Sequence, residues 1–106
     1  MKTITFNFDG TDYTLEYTKR TIRQMENGGF NISEATSKVV SGMEALFAGS
    51  FLAHHPRIND STINAIWKAL PDKQEFVSAL VDLYNNPINE MFDEPEKNAI
   101  KWTLNG

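Results

Sequence analysis

The sequence predicts an α+β fold in which an N-terminal two-stranded antiparallel β-hairpin is followed by a bundle of four to five α-helices. Apolar and polar residues alternate around an Asp-Gly dipeptide near the N-terminus, whereas the later apolar residues recur every three to four positions. A chain of 106 residues has the size of one domain. We interpret 1–106 as a single domain, with the hairpin at 2–18, the helical part at 19–92 and an acidic link and tail at 93–106.

The hairpin is the most regular feature of the chain. Every second residue is apolar in TITFNF and in YTLEY, as in half-buried strands. Asp9-Gly10 between them suits the two left-handed positions of a type I′ turn. The register of a two-residue loop puts the apolar residues on one face: Phe8 pairs with Thr11, Phe6 with Tyr13, Ile4 with Leu15 and Lys2 with Tyr17.

Two helices are predicted after the hairpin. Thr18 or Thr21 can cap a short helix that ends before Gly28-Gly29. A longer helix is expected from about Ser33 to His54, and its apolar residues form a wide stripe. The stripe comprises Val39, Val40, Met43, Leu46, Phe47, Phe51 and Leu52.

A helix over about 60–70 and another over about 73–85 are predicted next, with Asp72 and Glu75 at capping-box spacing. The pair has the order of a helix-turn-helix. Its second helix, however, carries Asp72, Glu75 and Asp82, which would face DNA phosphates unfavourably. A plain antiparallel helix pair is the preferred interpretation.

The C-terminal part begins at Asn86-Pro87, which is predicted to end the preceding helix. A short helix at 88–92 and an acidic link at 93–96 lead to a tail in which Ile100, Trp102 and Leu104 alternate with polar residues. Phe92 and Trp102 flank the charged link. The sequence leaves open whether these two aromatics dock back on the domain or anchor a partner.

Charge and hydropathy exclude several classes of protein. The net charge is −4, and residues 59–106 hold eight acids against four bases, so no nucleic-acid partner is expected. No apolar run approaches the ~18 residues of a membrane span, and the N-terminus is no signal peptide. We therefore expect a soluble, cytoplasmic protein with no membrane partner.

No catalytic, cofactor or metal site is predicted, and the chain is interpreted as non-enzymatic. The absence of cysteine excludes thiolate nucleophiles and sulfur ligands. His54-His55 is the only histidine pair, but adjacent helical residues point about 100° apart. Phosphate-binding glycine loops and nucleophile-elbow serines are also missing. Cofactors are therefore expected to be none.

Protein binding through apolar surface is the activity that the residues favour. One outer edge of the hairpin can also accept a strand from another chain. The candidate protein-binding residues are Val39, Met43, Leu46, Phe47, Phe51, Phe92 and Trp102. Self-association is left open.

The N-terminal stretch ITFNFDGTDYTLEYTKRTIRQMENGGFNI resembles small tail-assembly chaperones and chaperone-like proteins. These are encoded in the tail gene cluster of long-tailed (siphovirus-type) bacteriophages and prophages of Gram-positive bacteria. The similarity continues, less specifically, through SKVVSGMEALFAGSFLAHHPRI. The resemblance implies binding of the tape-measure protein in the host bacterial cytoplasm, together with recruitment of tail-tube subunits. It implies no catalytic residues.

Two other functions stay open at this point. A small structural or adaptor protein of the phage particle would use the hairpin edge to join a neighbour's sheet. A DNA-associated regulator would use the helix pair at 60–85, against the charge argument given above.

Overall fold

A computed structural model describes residues 2–35, 37–95 and 97–106. Over these ranges the chain forms a two-stranded antiparallel sheet followed by five helices, which is the predicted α+β architecture. The strands are β1 (Ile4–Phe8) and β2 (Thr11–Leu15). The helices are α1 (Lys19–Asn27), α2 (Ile32–Ala35), α3 (Val39–Gly49), α4 (Asp60–Ala69) and α5 (Lys73–Glu90).

The hairpin has the predicted turn and register, but the pairing extends only to Ile4 and Leu15, so the predicted pair of Lys2 with Tyr17 is not formed. The pairs include Ile4 with Leu15, Phe6 with Tyr13 and Phe8 with Thr11. Asp9 and Gly10 have φ angles of 50° and 82°, both left-handed as a type I′ turn requires. The rings of Phe6 and Tyr13 stack across the strands with centroids 5.4 Å apart. The apolar face therefore lies on one side, against the helices.

Local hydrogen bonds fix both ends of α1. The Thr18 side chain accepts from the Thr21 N–H at 3.1 Å, and the Thr21 hydroxyl accepts from the Thr18 N–H at 2.9 Å, a reciprocal capping box. After Gly29, the Phe30 N–H donates to the Met25 carbonyl at 2.9 Å, as in a Schellman motif. Phe30 is thereby directed back onto the core.

The prediction of one helix over 33–54 is wrong. Residues 37 and 38 are not helical, residue 36 lies outside the described residues, and α3 ends at Gly49. The interruption lets α2 fold against α3, where a Cβ on Gly42 would overlap the backbone of Ala35. Close packing of two short helices thus replaces one continuous helix.

The predicted helix end at Asn86-Pro87 is also wrong, because α5 continues to Glu90 and includes most of the predicted 88–92 helix. Pro87 is buried on the same face as Leu83 and Tyr84, and this burial offsets the hydrogen bond that proline cannot make. Asp72 directly precedes α5, but the predicted capping box with Glu75 is not formed. Its backbone is left-handed (φ 50°), and its side chain makes no capping hydrogen bond.

The core lies between the apolar face of the hairpin and helices α1, α3, α4 and α5. Its buried side chains are Leu15, Tyr17, Ile22, Met25, Leu46, Phe47, Phe51, Ile63, Ile66, Leu80, Leu83 and Tyr84. The described residues from 91 to 106 are all exposed. Within the described ranges, no helix has the length and apolar character needed to span a bilayer.

Candidate protein-binding surfaces

The outer edge of β2 is covered by the segment that follows α3. The Thr14 N–H donates to His55 Nε2 at 3.0 Å, and the Glu16 N–H donates to the Ser50 carbonyl at 3.0 Å. Two of its outward-facing N–H groups are therefore paired within the chain and cannot bond to another strand. The edge is covered from Thr14 to Glu16.

The outer edge of β1 differs. Thr5 lies opposite Thr14, and Asn7 lies opposite Asp12. In an antiparallel pair, residues opposite each other at such positions both direct their backbone groups outward. Among the described residues, none bonds to the outward backbone of Thr5 or Asn7. In the described part of the chain, the hairpin thus has one edge that is covered from Thr14 to Glu16 and one edge that is unpaired at Thr5 and Asn7.

His54 and His55 serve the hairpin in different ways. His54 Nε2 lies 2.6 Å from Glu16 Oε1, and His55 Nε2 accepts from the Thr14 backbone. The two imidazole centroids are 6.5 Å apart. In the part of the chain that the structure describes, no three His, Asp or Glu side chains converge as metal ligands would.

The two buried phenols belong to the core. The Tyr17 hydroxyl donates to the Leu46 carbonyl at 2.5 Å, and burial raises the pKa of Tyr17. Burial raises the pKa of Tyr84 too, with a smaller contribution from the charge of Glu26. Both phenols therefore stay protonated around neutral pH, which suits packing rather than acid–base chemistry.

The predicted binding residues on and just after α3 are divided between core and surface. Leu46 and Phe51 are fully buried and Phe47 is 3% exposed. Val39, by contrast, is 58% exposed, and Met43 is half-buried. In this fold the first three fill the core, so only Val39 and Met43 can meet a partner with substantial surface.

Val39 and Met43 belong to a groove of about 500 Å³ between α3 and α4. We call it the α3–α4 groove. Its floor includes Phe47 and Trp67, whose ring centroids are 5.3 Å apart. Two acids, Glu44 and Asp60, also line it. The full lining is Val39, Val40, Met43, Glu44, Phe47, Ala48, Asp60, Ile63, Asn64 and Trp67.

The second exposed apolar surface follows α5. Phe92 is 80% exposed and Trp102 is 82% exposed, so neither docks back on the domain. Met91, Ile100 and Leu104 are also at least 60% exposed. We call residues 91–104 the C-terminal apolar segment. Exposed side chains of this size can serve as anchors in protein interfaces.

The start of α5 does not present the cation that a recognition helix would use. Lys73 Nζ donates to the Leu70 carbonyl at 2.7 Å and lies 5.9 Å from the centre of the Trp67 ring. The Lys73 ammonium group thus binds to the turn between α4 and α5. Asp72 and Glu75 beside it are exposed, which disfavours contact with phosphates.

Comparison with known proteins assigns the chain to one family. Residues 1–105 match the family described as Domain of unknown function (DUF5055), and the chain belongs to that family. Searches of curated proteins and of solved structures gave no significant match.

Sequence reasoning missed the α3–α4 groove as a unit. Val39 and Met43 were among the expected residues, but Trp67 and the acids Glu44 and Asp60 were not. A signal for α4 was present, because Asp60, Ile63, Asn64 and Trp67 recur at helical spacing. What the sequence could not indicate is that this face of α4 lies beside α3.

Proposed function

We propose that this chain is a phage tail-assembly chaperone that binds the tape-measure protein in the host bacterial cytoplasm and brings tail-tube subunits to it. Two observations support the proposal. The N-terminal stretch resembles chaperone-like proteins of phage tail gene clusters. The chain also exposes apolar side chains that a long amphipathic helix can cover.

The C-terminal apolar segment is the observation that carries the proposal. Phe92 and Trp102 are each at least 80% exposed, and large aromatic side chains dominate the energetics of protein interfaces. Tape-measure helices present long apolar faces before they are packed into a tail. Covering such faces with an exposed apolar segment would keep them from aggregating.

Co-expression with the tape-measure protein from the same gene cluster tests the proposal. We expect the wild-type chain to raise the soluble yield of the tape-measure protein and to co-purify with it. The double variant Phe92→Ser, Trp102→Ser should lose both effects. The matched control, Thr103→Ser with Asn105→Ser, changes exposed polar residues of the same region and should retain them. Absence of co-purification with the wild type would remove the proposal.

The unpaired edge of β1 favours a second candidate, a structural or adaptor protein that remains in the phage particle. An open strand edge can add a neighbour's strand to the hairpin. Mass spectrometry of purified particles separates the two functions, because a chaperone should be absent from mature particles. Stoichiometric recovery of the chain would support the adaptor.

A further inference from the structure

Two uncovered surfaces of this chain are complementary in charge. Residues 97–106, which we call the tail, carry Lys97 and Lys101 and no acid. The α3–α4 groove is lined by Glu44 and Asp60 and by no basic residue among those that the structure describes. A cationic apolar strand and an acidic apolar groove attract each other and repel wrong partners.

The dimensions of the two surfaces also agree. In an extended chain, Ile100 and Leu104 lie about 13 Å apart at roughly 3.3 Å per residue, with Trp102 between them on the same side. Along α3, Val39 and Phe47 are separated by about 12 Å at roughly 1.5 Å per residue. Three apolar side chains of the tail therefore match the length of the groove.

Within one chain, neither surface covers the other. Ile100, Trp102 and Leu104 are 85%, 82% and 89% exposed, while Val39 and Val40 in the groove are 58% and 73% exposed. The tail thus lies away from the groove of its own chain. A second copy offers the same groove, and two copies can exchange tails symmetrically, which closes the assembly as a dimer.

We propose that this protein forms a homodimer in which the tail of each copy occupies the α3–α4 groove of the other. Trp102 packs on Trp67 and against Val39 and Met43, which are groove residues that keep accessible surface. Lys101 alternates with Ile100 and Trp102 and so faces out of the groove, and its long flexible stem bends back to bring the ammonium group to Glu44 at the rim. The dimer covers Trp102, which also belongs to the segment proposed to bind the tape-measure protein, so the two contacts compete. The dimer is tested on the purified chain alone, and its failure leaves the proposed function standing.

Sedimentation velocity of the purified chain over a wide concentration range tests the dimer. We expect a concentration-dependent dimer in the wild type, and a Kd raised about 30-fold by Trp102→Ala, the size expected for a central aromatic anchor. Phe92→Ala is the matched control, since Phe92 is equally exposed but precedes the tail. It should change the Kd by less than about threefold. A wild type that stays monomeric, or equal effects of the two variants, would overturn the proposal.

Charge reversal distinguishes exchange between copies from a tail that folds back on its own chain. Lys101→Glu and Glu44→Lys should each raise the Kd of the homodimer by roughly tenfold, because both place like charges together. When the two variants are mixed, each heterodimer contact again joins opposite charges. We expect the mixture to dimerise as the wild type does. A mixture that remains monomeric would show that the tail and the groove do not meet between copies.

Discussion

Glu16 is a carboxylate that the fold removes from water. Its side chain is 8% exposed, and its Oε1 lies 2.6 Å from His54 Nε2. A buried acid is costly unless a hydrogen-bond partner accompanies it. His54 supplies this partner from the turn after α3 and so ties that turn to the hairpin. The two residues are 38 positions apart, which is why no local pattern in the sequence reveals the pair.

Replacing His54 by Ala should lower the free energy of unfolding by about 1–2 kcal/mol, because the Glu16 carboxylate loses its hydrogen bond. Lys2→Ala serves as the control. Its ion pair with Asp82 has side chains 54% and 68% exposed, and its loss should cost at most about 0.5 kcal/mol. Urea denaturation at neutral pH measures both. Equal losses would contradict a structural role for His54.

The buried phenol of Tyr17 should make the protein less stable in alkaline solution. Burial raises its pKa above the ordinary value of 10.0, so the unfolded chain releases the phenol proton first as the pH rises. Its stabilising contribution is complete below about pH 10 and decreases by about 1.4 kcal/mol for each pH unit above it. Tyr17→Phe cannot ionise at this position.

We therefore expect the free energy of unfolding to decrease less steeply between about pH 9 and 11 for Tyr17→Phe than for the wild type. Part of the decrease should persist, because burial also raises the pKa of Tyr84. At neutral pH the variant should be less stable by about 1 kcal/mol, since the hydrogen bond to the Leu46 carbonyl is lost. If the free energy of unfolding decreased equally steeply with pH in both proteins, Tyr17 would not contribute to the loss of stability.

At the scale of elements, the contact between α2 and α3 depends on Gly42. A Cβ at this position would lie 2.9 Å from the Ala35 carbonyl oxygen and closer still to the Ala35 backbone carbon. Backbone cannot move aside as a flexible side chain can. Gly42→Ala should therefore lower the free energy of unfolding by about 1–3 kcal/mol.

Gly49→Ala is the matched control on the same helix. Its added Cβ would meet the thioether end of Met25, which can adopt another rotamer, and alanine also favours helix by up to about 1 kcal/mol over glycine. The loss for Gly49→Ala should therefore be clearly smaller. Thermal unfolding followed by circular dichroism compares the two variants. A larger loss of stability for Gly49→Ala than for Gly42→Ala would show that α2 does not pack on Gly42.

The elements that sequence reasoning predicted well are those that neighbouring residues determine. The Asp9-Gly10 turn and the alternation around it specify the hairpin register, and the Thr18 cap specifies the start of α1. The elements that it predicted wrongly depend on distant contacts. The break before α3 requires packing on α2, and continuation of α5 through Pro87 requires burial of that residue in the core.

At the scale of the whole molecule, the sequence predicted the kind of candidate surface but not its location. Leu46, Phe47 and Phe51 were expected to contribute to binding, because a wide apolar stripe does not show which part the core will use. Phe92 and Trp102 could be assigned to surface or core only once the course of the chain after α5 was known. The charged link near both was the one sequence signal for exposure.

The tail should be dispensable for folding. Its described side chains are all exposed, and exposed residues without partners contribute within about 0.5 kcal/mol. Deleting residues 97–106 should therefore change the Tm by less than about 4 °C, as measured by circular dichroism at a concentration where the chain is monomeric. A large decrease would mean that the tail stabilises the domain from within.

Isothermal titration of the chain with soluble helical segments of the tape-measure protein tests the central claim most directly. If the C-terminal apolar segment is covered on binding, the heat capacity of binding is negative, because apolar surface leaves water. Phe92→Ser with Trp102→Ser should weaken binding at least about tenfold and make the heat-capacity change smaller. Absence of binding at several temperatures, or an unchanged heat capacity in the double variant, would contradict the account.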